Sequence, residues 1–225
     1  MGVMIDNIDV VWSGFRMTLY LLVFSSILAT IIGTILAGMR VSPIPVLRGF
    51  GTVYVNALRN TPLLVVLTLI AFGLPELGIQ VELDVGFEQF NTFFVYAVLG
   101  LSLYTAAFIC EALRSGVNSV AAGQAEAARS IGMTFSQSLR IVVLPQAFRS
   151  VIPPLASVYI ALTKNTSVAL AVGVAEATFR MKGLLNRYAT DLWFIFFGFA
   201  LGYMMIVAVI AGAAALAERR WSVSR

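Results

Sequence analysis

Residues 192–217 read LWFIFFGFALGYMMIVAVIAGAAALA, without a single charge. A hydrocarbon core about 30 Å thick takes roughly 20 helical residues to cross, so this run predicts a membrane-spanning helix. Residues 17–39 and 89–110 have the same uncharged character. Residues 61–75 form a shorter run, which is predicted to borrow length from residue 54 onward while Arg59 snorkels to the head groups. Residues 151–175 form a fifth run, interrupted by Lys164. The chain as a whole is 60% hydrophobic and only 12% charged, with a mean hydropathy of +0.92. That composition excludes an ordinary soluble domain and predicts an all-α membrane protein of five transmembrane helices.

Basic residues set the expected orientation, because Lys and Arg are retained on the cytoplasmic side. Arg40, Arg48 and Arg59 fall in one connection, Arg114, Arg129, Arg140 and Arg149 in a second, and Arg219, Arg220 and Arg225 in the tail. The opposite face takes Asp6, Asp9 and Arg16, the wholly acidic connection with Glu76, Glu82, Asp84 and Glu88, and the loop with Arg180, Lys182 and Arg187. The N-terminus is therefore expected outside and the C-terminus inside. On this reading residues 1–16 are an external segment, 17–217 the transmembrane domain with a cytoplasmic connection at 111–150, and 218–225 a cytoplasmic tail. The first apolar run is too long for a cleavable signal and follows Asp6 and Asp9 in place of a basic stretch. Cys110 is the one cysteine and the chain has no His, so neither an intrachain disulfide nor a soft-metal site is expected. The basic balance, with a pI near 9.5, is the ordinary positive-inside pattern and does not call for nucleic acid.

The connection at 111–150 is the polar part of the chain. Residues 121–131 are rich in Ala and end at Gly132, suited to the left-handed cap that closes a helix. Thr134-Phe-Ser-Gln137 then has the form of a capping box, opening a second helix predicted to run to Leu144 before Pro145. Glu126 and Arg129 share one exposed face. Two readings stand: an interfacial hairpin holding anionic lipid, or a docking element for a cytoplasmic partner. An interfacial anchor wants Trp, Phe or Leu, and residues 121–130 offer Ala and Gly, which suit close insertion into a protein groove.

Glu126-Ala127-Ala128, three residues, Gly132, nine residues, then Val142, one residue and Leu144-Pro145 resembles the EAA signature of membrane subunits of ATP-binding-cassette importers. Arg59-Asn-Thr-Pro-Leu-Leu64 and Ala161-Leu-Thr-Lys-Asn-Thr-Ser167 resemble blocks of its polar amino acid subfamily, which imports His, Arg, Gln or Glu. Val142 stands where Ile is common, and Asn60 where many relatives have Gly; the second leans toward the glutamate and glutamine branch. The resemblance implies a multi-pass permease of the bacterial plasma membrane with a type I importer fold. It implies that Glu126, Ala127, Ala128 and Gly132, with Arg129 and Ser130 beside them, dock onto an ATPase dimer. It also implies a second permease, identical or paralogous, and an extracytoplasmic substrate-binding protein.

The chain contains no G-x-x-x-x-G-K-[ST] phosphate loop, so it is not expected to be an enzyme or to bind a cofactor itself; ATP and Mg belong to the partner. A charge near the middle of an apolar run costs about 2.5–3.5 kcal/mol unless hydrated or paired. Lys164 is thus either a substrate contact, with Asn165, Thr166 and Ser167 around a central aqueous cavity, or a structural partner of Glu111 or Glu176, or a snorkelling side chain. Glu176, Arg180 and Lys182 are candidates for meeting the binding protein, against the alternative of a solvated turn. Gly198 with Gly202, and Ala29 with Gly33 and Ala37, permit close helix packing. A secondary transporter or channel would need acidic relays inside the spans, where none is found, and a membrane enzyme lacks a plausible constellation.

Overall fold

The computed structural model describes residues 2–79 and 91–221. Glu82, Asp84, Glu88 and Arg225 lie outside the described residues. Helix α1 (Gly2–Asp6) leads into α2 (Ile8–Val41), followed by α3 (Pro45–Arg59) and α4 (Leu63–Thr68). A π turn (Leu69–Gly73) joins α4 to α5 (Leu74–Glu76). Next come α6 (Thr92–Asn118), α7 (Ala122–Ser130) and α8 (Phe135–Gln137). A second π turn (Ser138–Val143) feeds α9 (Leu144–Asn165), which tightens into a 3-10 segment (Thr166–Val172). Helices α10 (Ala177–Arg187) and α11 (Leu192–Trp221) complete the chain. Among the described residues four helices are long and apolar enough to cross a membrane, and the bent pair α3 with α4–α5 is a candidate fifth span.

Helix α6 is the centre. Its apolar window is 61% buried, against 17–28% for the other three, so the others are arranged around it. Small residues let α2 lie close and parallel to it: Ala29 and Ala37 are buried, and a Cβ on Gly33 would fall 2.7 Å from the Ile109 side chain and 2.9 Å from the Ala106 carbonyl. Gly198 and Gly202 give the same closeness to α11, whose backbone admits Met4 and the Phe15 ring. Both small-residue patterns of the sequence thus serve packing within the chain. Leu21, Leu67, Tyr96, Leu101 and Leu162 form the main core, drawn from α2, α4, α6 and α9.

Two expected elements differ. The second span is expected to borrow residues from 54 onward in one straight helix; residues 45–59 instead form a separate helix, bent by 105° from Leu63–Glu76. Pro62, with ψ 137° at the head of α4, has no N–H to continue the ladder and disfavours helix at Thr61. Arg59 stays half exposed, its guanidinium 3.6 Å from Glu111 and 5.8 Å from the Phe108 ring centre. Nor does the helix after Thr134 end at Leu144. It continues through Pro145 into α9, because the π turn widens the backbone just where the proline ring would strike the carbonyl four residues earlier.

Candidate functional site

Helix α7 sits at the end of the bundle where α2 and α6 terminate, packed against the π turn that precedes α9. Its closure is local. Gly132 adopts φ +90°, its N–H donates to the Arg129 carbonyl at 3.0 Å, and the Met133 N–H donates to the Ala128 carbonyl at 3.2 Å. This pair of bonds is the Schellman closure that a glycine permits. Two residues on, the Thr134 N–H donates to Gln137 Oε1 at 2.9 Å and the Gln137 N–H to Thr134 Oγ1 at 3.3 Å, the reciprocal capping box. The corner between the helices is therefore fixed by four hydrogen bonds within ten residues, Ala128 to Gln137. Ala128 is buried beneath it, while Glu126, Ala127, Arg129 and Ser130 are exposed. Ser130 Oγ turns back to the Glu126 backbone carbonyl at 2.9 Å, and the Glu126 carboxylate makes no ion pair among the described residues. Ile131 and Phe135 add exposed apolar surface at the corner.

Beneath α7 lies a cavity of about 350 Å³ lined by Arg40, Arg114, Arg129, Asn118 and Ser138 among others. Beside it, Glu111 collects three guanidinium groups: Arg40 in close contact, Arg114 at 3.0 Å and Arg59 at 3.6 Å. This hub ties the ends of α2, α3 and α6 together. Sequence reasoning considered Glu111 only as a partner for Lys164 and missed the hub, whose signal was an acid one residue beyond an uncharged run, facing a surplus of arginine.

Lys164 is exposed and makes no ion pair among the described residues, since Glu111 is occupied as above and Glu176 is bonded elsewhere. Neither of the two expected partners, Glu111 and Glu176, is paired with Lys164. Lys164 and Ser167 line a cavity of about 240 Å³ with Thr178, Met181, Phe196 and Tyr203. Asn165 lines a different cavity, of about 330 Å³, with Tyr104, Phe108 and Ser157. Thr166 is buried, its Oγ1 donating to the Thr163 carbonyl at 2.7 Å. The four residues expected around one central cavity are divided among two cavities and the core, because successive side chains point about 100° apart along the end of α9 and about 120° apart in the 3-10 segment that follows.

Glu176 is also not where a surface contact needs it. It is fully buried and caps α10, accepting from the N–H groups of Thr178 and Phe179, both at 2.8 Å, and from the Tyr203 hydroxyl at 2.8 Å. Burial pushes its carboxyl above the ordinary value, with the donors of Thr178, Tyr203 and Phe179 opposing the rise. Its side chain is therefore a structural cap, buried within this chain. Arg180 is half-buried and packs over Gly14, whose Cα lies too close to Arg180 and Ala177 to accept a Cβ freely. Of the three, Lys182 alone is exposed. Thr18, which accepts the Ala177 N–H at 3.1 Å, completes the anchoring of α10 and carried no signal in the sequence.

A bundle of apolar helices long enough to cross a membrane, with a polar, tightly cornered helix pair at one end, has the architecture of a multi-pass membrane protein. The chain belongs to the family of binding-protein-dependent transport system inner membrane components, whose model matches residues 12–223. It is 44% identical over 211 residues to the glutamate transport system permease protein GluC of Corynebacterium efficiens, covering 91% of each chain. It is 34% identical to the glutamate/aspartate import permease protein GltJ of Escherichia coli K12, covering 93% of this chain and 86% of the relative. Among solved structures, an amino acid ABC transporter crystallised with histidines superposes with a TM-score of 0.84 at 28% identity, over 96% of each chain.

Proposed function

We propose that the chain is the permease subunit of an ATP-driven importer of a polar amino acid, glutamate or glutamine being favoured. The observation that carries this reading is the α7 corner: a short, exposed, small-residue helix locked at a fixed angle on the base of α9. A rigid corner transmits a push, and an Ala-rich face permits the close approach that a cleft in another protein requires. Glu126, Ala127 and Arg129 present the docking face, Ala128 seats it from below, and Gly132 sets its angle. ATP and Mg bind a separate ATPase dimer, and hydrolysis there biases the two access states of the helices by rigid-body motion.

The orientation is N-terminus outside and C-terminus in the cytoplasm, supported by the clustering of Arg40, Arg59, Arg114 and Arg129 at the α7 end. A second permease subunit completes the path, and an extracytoplasmic binding protein delivers substrate to the end bearing α10 and exposed Lys182. Lys164 and Ser167 supply a cationic and hydroxylated lining that suits a carboxylate, as do the names of the glutamate permeases that the chain resembles.

Uptake into vesicles holding the co-purified complex tests the whole reading. Accumulation of labelled glutamate or glutamine that needs internal ATP and added binding protein is expected. Nucleotide-independent uptake driven by an ion gradient would replace this reading with secondary transport.

A further inference from the structure

We infer that α3 is a membrane-surface helix, lying in the head-group layer and holding anionic phospholipid through Arg48 and Arg59. The inference rests on the membrane-spanning reading alone and needs neither the substrate nor the ATPase. Three observations combine. First, α3 turns 105° from the direction of Leu63–Glu76, so it lies near the membrane plane when that segment runs along the normal.

Second, α3 has three faces in place of two. Gly51 and Val55 are buried against α2 and α6, and the Gly51 backbone touches Arg40. Val46, Phe50 and Val53, at helical spacing, are left 62–78% exposed, with Ala57 continuing the line. Arg48, Asn56 and Arg59 form a separate exposed polar edge. A helix buried in a span would not carry the polar edge, and one in water would not leave Phe50 and two valines bare. The combination fits an interface, where such a stripe enters the acyl boundary by about 5–10 Å.

Third, the charge is one-sided. From residue 40 to residue 75 the sequence holds Arg40, Arg48 and Arg59 and no acid. Arg48 has no ion pair among the described residues, and Arg59 keeps 45% of its side chain exposed while sharing Glu111. Eleven residues separate Arg48 from Arg59, three turns apart on one edge and about 16 Å by helical rise, so each reaches a different head group. A phosphate is the acceptor that such an edge would meet.

The test uses the full chain purified with its accompanying subunits and reconstituted in vesicles. Phe50→Cys, Val53→Cys and Asn56→Cys are labelled singly with a fluorophore, with buried Cys110 left in place, and Val209→Cys in α11 serves as the control. Nitroxide lipids labelled high on the acyl chain should quench positions 50 and 53, a water-soluble quencher should reach position 56, and deeply labelled lipid should quench position 209. Protection of 50 and 53 from both quenchers, as in a helix covered by the second permease, overturns the inference, as does quenching from water alone. Failure at 209 as well would overturn the membrane reading beneath it.

A second measurement addresses the lipid. The double variant Arg48→Gln, Arg59→Gln is expected to lower the preference for phosphatidylglycerol over phosphatidylcholine, about fivefold for each arginine lost. An unchanged preference removes the arginines from lipid recognition.

Discussion

The carboxylate of Glu176 accepts a 2.8 Å hydrogen bond from the hydroxyl of Tyr203, joining the start of α10 to the middle of α11 inside the protein. The same carboxylate takes two backbone N–H groups of α10. Glu176→Ala removes the cap and orphans all three donors, an expected loss of about 3 kcal/mol. Tyr203→Phe removes one donor and should cost about 1 kcal/mol. Thermal unfolding of the purified complex, followed by intrinsic fluorescence, ranks the two; equal effects would mean that the cap is unimportant.

The same group gives a pH dependence. Burial raises the folded carboxyl above its ordinary value of 4.5, so the unfolded chain releases this proton first as pH rises. Its contribution is fully present below that ordinary value and is lost as pH climbs through the folded one. Stability measured from pH 4 upward should therefore decline in this component, and Glu176→Gln should flatten the decline. An identical pH profile in the variant would assign the dependence to other groups.

Glu111 neutralises a cluster of three arginines from three helices. Glu111→Gln leaves their charges facing one another at the joined ends of α2, α3 and α6. The expected cost is about 2 kcal/mol, less than the 3–5 kcal/mol of a fully buried broken pair because these side chains retain some water. Adding Arg40→Gln to that variant should restore part of the loss, and a chemical-denaturation series on the single and double variants checks the sign of the coupling.

Glu126→Lys changes the exposed charge of α7 without touching its internal bonds. It is expected to abolish co-purification of the ATPase while the permease still accumulates in membranes. Gly132→Ala strains the left-handed corner by about 1 kcal/mol and tilts α7. It should preserve assembly and reduce uptake more than ATP hydrolysis, which a transport-to-hydrolysis ratio reads directly.

Lys164→Met removes the unpaired charge from the cavity with Ser167 and Tyr203. Complex assembly should survive and uptake should fall at least tenfold. Transport at the parental rate with unaltered substrate preference would take Lys164 out of the path.

The features legible in the sequence were those encoded by neighbours in the chain. Uncharged length marked the spans, and Gly132 with Thr134 and Gln137 fixed the corner because every bond in it closes within six residues. Features that depend on distant partners were not legible. Nothing near Glu176 announces Tyr203, 27 residues away, so an acid in a loop read as a surface contact. Pro145 read as a stop because the rule assumes a regular α-helix, and the π turn before it relaxes that rule. The bend at Pro62 was readable in principle, since residues 45–59 have an amphipathic period that a fully embedded span would lack.

Two adjacent prolines, Pro153 and Pro154, lie within α9, between the π turn against which α7 packs and Lys164 near the far end of the helix. Each omits one rung of the backbone ladder, so stiffness is lowest there. A load applied near Ser138 would thus be taken up partly by flexing at this weak point, and the two halves of the rod would not move as one body.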